Sequence, residues 1–230
     1  EQQARREEKE VARHDGKLDA LLMDVIWPSE IRSIAPGDFG AFAAARSVSP
    51  GVASENGAFA SRKLGRLVEY ESALEHDFLQ LLEGTGTVVF YQEQPFRVPY
   101  EADSEVRHTY PDVFFVLDDG RGVVVEVAPN FEMAQQENWV KWHGLRVFCR
   151  ERGYGLLITD GRRTFHSVSR HEVRPEVRES LLAALDEGPM RWPEYQIWRD
   201  TSGITTDEFY AIVIRERLEW RLRPYRLARG

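Results

Sequence analysis

The stretch that most limits what this chain can fold into runs from Tyr110-Pro111-Asp112 through Val113-Phe114-Phe115-Val116-Leu117, then Asp118-Asp119-Gly120, then Val123-Val124-Val125-Glu126-Val127. Asp-Asp-Gly is turn chemistry between two β-rich runs, so the stretch predicts a hairpin. Three consecutive valines are expected where a strand is covered on both faces, so the rest of the chain must supply covering helices. With 230 residues, 42% apolar and 11% aromatic, it has the material for one ordinary domain plus a small appendage, or for two small domains. The single cysteine, Cys149, excludes an intrachain disulfide and a Cys-rich zinc site, and fits a reducing cytoplasm. No run of 18 apolar residues and no export signal is present, so a cytoplasmic location without membrane contact is expected.

Helices and further strands can be read on either side. Residues 1–24 are a charge-mixed helix that gains an apolar face at Leu18, Leu21 and Leu22, and 46–57 is a Ser/Gly/Pro/Ala-rich loop or extended arm. Residues 67–83 carry Leu74, Phe78, Leu81 and Leu82 at helical spacing, with Gly84 as the stop. A strand over 87–100 is bent at Pro95. A helix over 132–152 ends at Gly153 and leads into a strand over 154–160. The order helix, bent strand, hairpin, helix, strand predicts an α/β fold with a mixed sheet flanked by helices. Beyond Ser169 three short helices are expected, the last capped by Thr205 or Thr206, in a small helical, winged-helix-like domain. Its tail, Arg215 to Arg229, holds six Arg against two Glu. The expected division is therefore 1–60, an N-terminal helix and arm; 61–169, the α/β domain; and 170–230, the helical C-terminal domain.

Three acids stand where acids are costly. Asp112 opens an apolar strand, Glu126 closes the facing one, and Glu75 shares a helix face with Phe78, Leu79 and Leu82. Hard divalent cations held by carboxylates are a common solution, Mg²⁺ in particular taking one or two carboxylates plus water and phosphate oxygens. Each acid also has a plainer account. Ser72-x-x-Glu75 fits a capping box, Asp112 follows a turn at Pro111, and Glu126 could pair with an arginine.

Taken together, the motif resembles the PD-(D/E)xK nuclease core, in which an acid begins one strand and an acid-x-Lys ends the next. More narrowly, residues 61–161 resemble the TnsA-type endonuclease subunit of heteromeric transposases. The matching segments are Gly65-Arg66, Glu71-Ser72-Ala73-Leu74-Glu75-His76-Asp77, Gln94-Pro95, Tyr110-Pro111-Asp112, Val125-Glu126-Val127-Ala128-Pro129 and the helix bearing Trp142. The resemblance implies a restriction-endonuclease-like sheet and a Mg²⁺- or Mn²⁺-dependent DNA endonuclease. Such a subunit cuts one strand at transposon ends beside a DDE-type transposase and an ATPase regulator. It also implies that Glu75, Asp112, Glu126 and the Val127 backbone carbonyl ligate the metal.

The sequence departs from that pattern at the lysine, because position 128 is Ala. Ala128 is an engineered inactivating change, or the domain is naturally degenerate, or Lys141 of the next helix reaches the same place. The first is favoured because every other element is intact, and a poorly cutting polypeptide is then expected. Lys141, Arg146, Arg150, Arg152, Arg162 and Arg163 form either a solvated helix face or phosphate contacts for DNA. His143 and Cys149 are read as packing residues. The net charge of −8 argues against a protein that coats nucleic acid, though not against a basic site on an acidic body. The alternatives from other classes are a catalytically silent DNA-binding or assembly subunit and a stand-alone defence or restriction nuclease.

Overall fold

The structure, a computed structural model, describes residues 2–46 and 56–230. Most of the loop expected over 46–57 therefore lies outside the described residues. The elements in chain order begin with α1 (Gln2–Leu22), β1 (Gly57–Ser61), β2 (Arg66–Tyr70), α2 (Ala73–Gly84) and β3 (Val88–Glu93). Next come β4 (Val98–Ala102), β5 (Glu105–Thr109), β6 (Val113–Leu117), β7 (Gly122–Val127), α3 (Asn130–Met133), α4 (Gln136–Arg152) and β8 (Gly155–Thr159). The chain ends with α5 (Phe165–Ser169), α6 (Pro175–Asp186), α7 (Trp192–Ser202), α8 (Thr206–Arg215), β9 (Glu219–Leu222) and β10 (Tyr225–Ala228). It divides into two units, one of Glu1–Ala128 with Lys141–Thr164, the other of Pro129–Val140 with Phe165–Gly230.

The first unit is built on the expected hairpin. β6 and β7 pair antiparallel with Val113 opposite Val125, and Gly120, at φ 86°, makes the turn between them. β3 adds antiparallel to β6, and β8 adds parallel to β7 with Glu126 opposite Ile158, giving the sheet order β3-β6-β7-β8. A parallel neighbour needs a crossover, which α4 supplies. The helix stops where Gly153 adopts φ 76°, and a Cβ there would stand 2.6 Å from the Arg32 amide nitrogen. Leu18 and Leu21 of α1, with Phe78, Leu79 and Leu82 of α2, pack with Val113, Phe115, Val123 and Val125. Phe114, pointing the other way, meets Phe42, Phe96 and Tyr154, and Phe96 in turn meets Phe148 of α4. Both faces are thus covered, as the valine run requires. On α4, a Cβ at Gly144 would lie 2.4 Å from the Cβ of Tyr100, so the helix sits close upon β4.

Three local expectations need correction. Residues 67–70 are strand rather than helix: Arg66–Tyr70 pairs with β1, Phe59 opposite Val68. The helix starts only after Ser72, whose Oγ accepts from the Glu75 amide at 3.1 Å. The strand expected over 87–100 is two strands, because Gln94 takes φ 43° ahead of Pro95, and β4 then pairs with β5 outside the main sheet. The last helix ends at Arg215 rather than continuing through Arg223. Arg217 adopts φ 52°, the Leu218 amide turns back to the Val213 carbonyl, and β9 and β10 form a hairpin.

In the second unit, α6, α7 and α8 occupy the predicted positions, and Thr205 is the cap of α8: its Oγ accepts from the Glu208 amide at 3.2 Å. Val177, Leu181, Leu185, Tyr195, Phe209, Ile212, Trp220 and Leu227 are buried. This unit adds the β9–β10 hairpin to its helices. Among the described residues no helix is long and apolar enough to cross a membrane.

Candidate functional site

The sheet brings the acids to one edge. Asp112 immediately precedes β6, Glu126 is the penultimate residue of the antiparallel β7, and Val113 lies opposite Val125. Asp112 is held there from two sides. Its Oδ2 accepts from the Val127 amide at 2.6 Å, and its carbonyl accepts from the Gln94 amide at 2.8 Å. Burial pushes the Asp112 carboxyl well above the usual carboxylate range. The charges of Glu126 and Glu75 push the same way, against the Val127 amide and Lys141. Asp112 therefore stands within electrostatic reach of both Glu126 and Glu75.

Glu75 is placed differently from the expectation. Its Oε2 accepts from the Glu71 amide at 2.9 Å and its Oε1 from the Ser72 hydroxyl at 3.1 Å, so the carboxylate folds back over the first turn of α2. The capping account of Glu75 thus has contacts behind it. Burial still raises its carboxyl, against those two hydrogen bonds. Among the described residues no three His, Cys, Asp or Glu side chains are arranged to hold a metal ion together. The oxygens left over belong to the strand acids. Glu126 Oε2 is buried without a hydrogen-bond partner, and Asp112 Oδ1 receives no hydrogen bond among the described residues.

Lys141 lies at this edge. Its Nζ donates to Glu126 Oε1. Ala128, where a lysine is expected, is 2% exposed, and its amide donates to the Thr159 carbonyl at 2.9 Å. The basic residues read as one cluster are spread out. Arg146 and Arg150 border a cleft with Trp27 and Tyr154, whereas Arg162 borders another with α1 and α2. Arg152 lies over the Phe148 ring at 3.8 Å. Arg163 contributes its carbonyl, which accepts from Thr159 Oγ1 at 2.7 Å. Cys149 is buried, and that burial pushes its thiol up to about 12, which fits a packing role. His143 is exposed rather than packed.

One residue at the site escaped the sequence reading. Arg46 donates from Nε to Gln94 Oε1 at 2.8 Å, pairs with Glu71, and lies over the Tyr110 ring at 5.3 Å. Gln94 holds Asp112, and Glu71 holds Glu75, so one guanidinium ties the supports of two acids together. The signal was faint: Glu71, Gln94 and Tyr110 all fall in the segments quoted for the resemblance, but nothing local marks Arg46. No protein-family model matches the chain, and no curated protein matches it in sequence.

Proposed function

We propose that the first unit is a divalent-metal-dependent DNA endonuclease of the PD-(D/E)xK type. In this reading Lys141 stands in for the lysine missing at position 128. The observation that carries it is the hydrogen bond from Lys141 Nζ to Glu126, beside Asp112, at one edge of two adjacent strands. An order of α2, then β3, β6 and β7, then α4 and β8 supports the same reading. So does the register that sets Val113 opposite Val125, with Asp112 just ahead of β6 and Glu126 near the end of β7.

The donor set fits a hard cation in a reduced form. Asp112 and Glu126, with the Val127 carbonyl, would hold Mg²⁺ or Mn²⁺, and the buried, partnerless Glu126 Oε2 is the oxygen most in need of one. Glu75 then acts from its helix cap, adding negative charge without direct ligation. Such an ion supplies a polarised phosphate and a bound water of lowered pKa. The chain's own residues do the rest. The Val127 amide fixes the orientation of Asp112, and Arg46 holds the supports of Asp112 and Glu75. Lys141 brings a cation next to the place where negative charge would develop on the phosphate during attack. Because Lys141 occupies that role, Ala128 requires no engineered loss of activity.

The wider resemblance extends the proposal to transposition. The chain would nick one strand at transposon ends, with a DDE-type transposase cutting the other and an ATPase as regulator. Its second unit, in which α6, α7 and α8 lead into the β9–β10 hairpin, would be a winged-helix-like docking module. Nicking of supercoiled plasmid in Mg²⁺ or Mn²⁺ tests the core claim. Wild type is expected to nick, and Lys141→Ala to lose about 10²–10³ in rate. Lys141→Ala combined with Ala128→Lys is expected to recover part of it. A wild-type chain that neither nicks nor binds either ion would turn the reading toward a silent assembly subunit.

A further inference from the structure

The clefts of the first unit differ in charge. One, of about 810 Å³ along α1 and α2, mixes His14, Lys17 and Arg162 with Glu10, Asp77 and Asp160. Another, of about 400 Å³, has Trp27, Ser29, His143, Arg146, Arg150 and Tyr154 in its lining, and no acid among the described residues lines it. In a chain of net charge −8, a basic cleft without an acid is an uneven distribution.

The three basic side chains come from one stripe of α4, at spacings of three and four residues. All three are exposed, and among the described residues none makes a hydrogen bond or an ion pair. Neighbouring arginines, by contrast, are engaged. Arg121 lies over the Trp27 ring at 4.8 Å and bonds Asp119, and Arg152 lies over Phe148. A helix dipole favours cations in the last turn, which accounts for Arg150 but not for His143 or Arg146 further back. Arg150 is not needed as a cap either, since the Tyr154 amide takes the Cys149 carbonyl at 2.9 Å. The cleft is also separate from the acids. Trp27 stands against Gly155 at the start of β8, whereas Glu126 pairs with Ile158 near its end.

We propose that this cleft binds a phosphate group, with Arg146 and Arg150 as guanidinium donors, His143 as a third donor and an aromatic floor beneath. Guanidinium groups match phosphate oxygens in charge and geometry. The source rests on the nuclease reading: the phosphate belongs to a DNA strand at a distance from the scissile bond, where it sets the register of the duplex.

Binding of a duplex of roughly 30 base pairs to the full chain in EDTA, without divalent ions, tests this by fluorescence anisotropy. The double variant Arg146→Ala/Arg150→Ala, with an unchanged unfolding midpoint, is expected to bind about 10-fold more weakly near 0.1 M salt. Its log-log salt slope is expected to fall by about 2, while Arg107→Ala, in the β4–β5 hairpin, changes neither. In parallel, inorganic phosphate is titrated against the His143 ring resonances. A phosphate shift lost in the double variant, with duplex affinity unchanged, supports the cleft but assigns it to free phosphate. No change in either titration overturns it. If wild type still nicks plasmid in Mg²⁺ after that result, the cleft alone is wrong. If duplex binding weakens but wild type never nicks, the cleft stands without the nuclease.

Discussion

Two buried glutamates in this molecule are treated in opposite ways. Glu208 of α8, 5% exposed, accepts from Arg174 Nε at 2.7 Å and Nη2 at 2.8 Å, from the Arg174 amide, and from the Thr205 amide and hydroxyl. Glu126 of β7, equally buried, has one oxygen on Lys141 and the other without a hydrogen bond among the described residues, with Asp112 adding like charge nearby. A fully bonded buried carboxylate holds a fold together; an incompletely bonded one, kept beside others, costs stability. The first belongs to architecture, while the second makes sense where something else is meant to arrive.

Removing each kind of acid should separate the two. Glu208→Gln leaves Arg174 without its counter-ion and is expected to lower the unfolding midpoint by roughly 6 °C or more, read by circular dichroism. Asp112→Asn keeps an acceptor for the Val127 amide and relieves the crowding of charge, so in the metal-free chain it should raise the midpoint by about 2–4 °C. Adding Mg²⁺ should stabilise wild type and leave Asp112→Asn unmoved. If Asp112→Asn is instead destabilising, the contrast fails.

Acid sharpens the same comparison with a smaller effect. The hydrogen bond from Arg174 holds the Glu208 carboxyl well below its usual value of 4.5, against the cost of burial. A depressed folded pKa gives stability that is fully present above the unfolded value and is lost as pH falls toward the folded one. Unfolding followed between pH 5 and pH 3 should therefore show wild type losing stability faster than Glu208→Gln.

What the sequence made legible follows from range. Asp112 and Glu126 stood out because acids bracketing apolar strands are expensive whatever the neighbours. The hairpin, α4 and β8 followed from periodicity and from Asp118-Asp119-Gly120 and Gly153. The β1–β2 and β4–β5 hairpins were missed because their short strands carry mixed polar residues, as in Arg66-Leu67-Val68-Glu69-Tyr70. Arg46 could not be read because its partners lie 25 and 48 residues away. The tail after Arg215 read as helix because its Leu, Trp and Arg residues suit either form, and only the turn at Arg217 decides. Glu75 could be read as a cap or as a ligand, because its anchor on the Glu71 amide depends on how the chain turns ahead of α2.

The close seat of α4 upon Tyr100 has a consequence for Lys141, three residues earlier on the same helix. With hydrogen alone at position 144, the helix can settle against β4; even one methyl group would meet Tyr100 and lift that turn outward. The length of a lysine stem is fixed, so the smallest side chain in the helix acts as the gauge that decides whether its amine still touches Glu126.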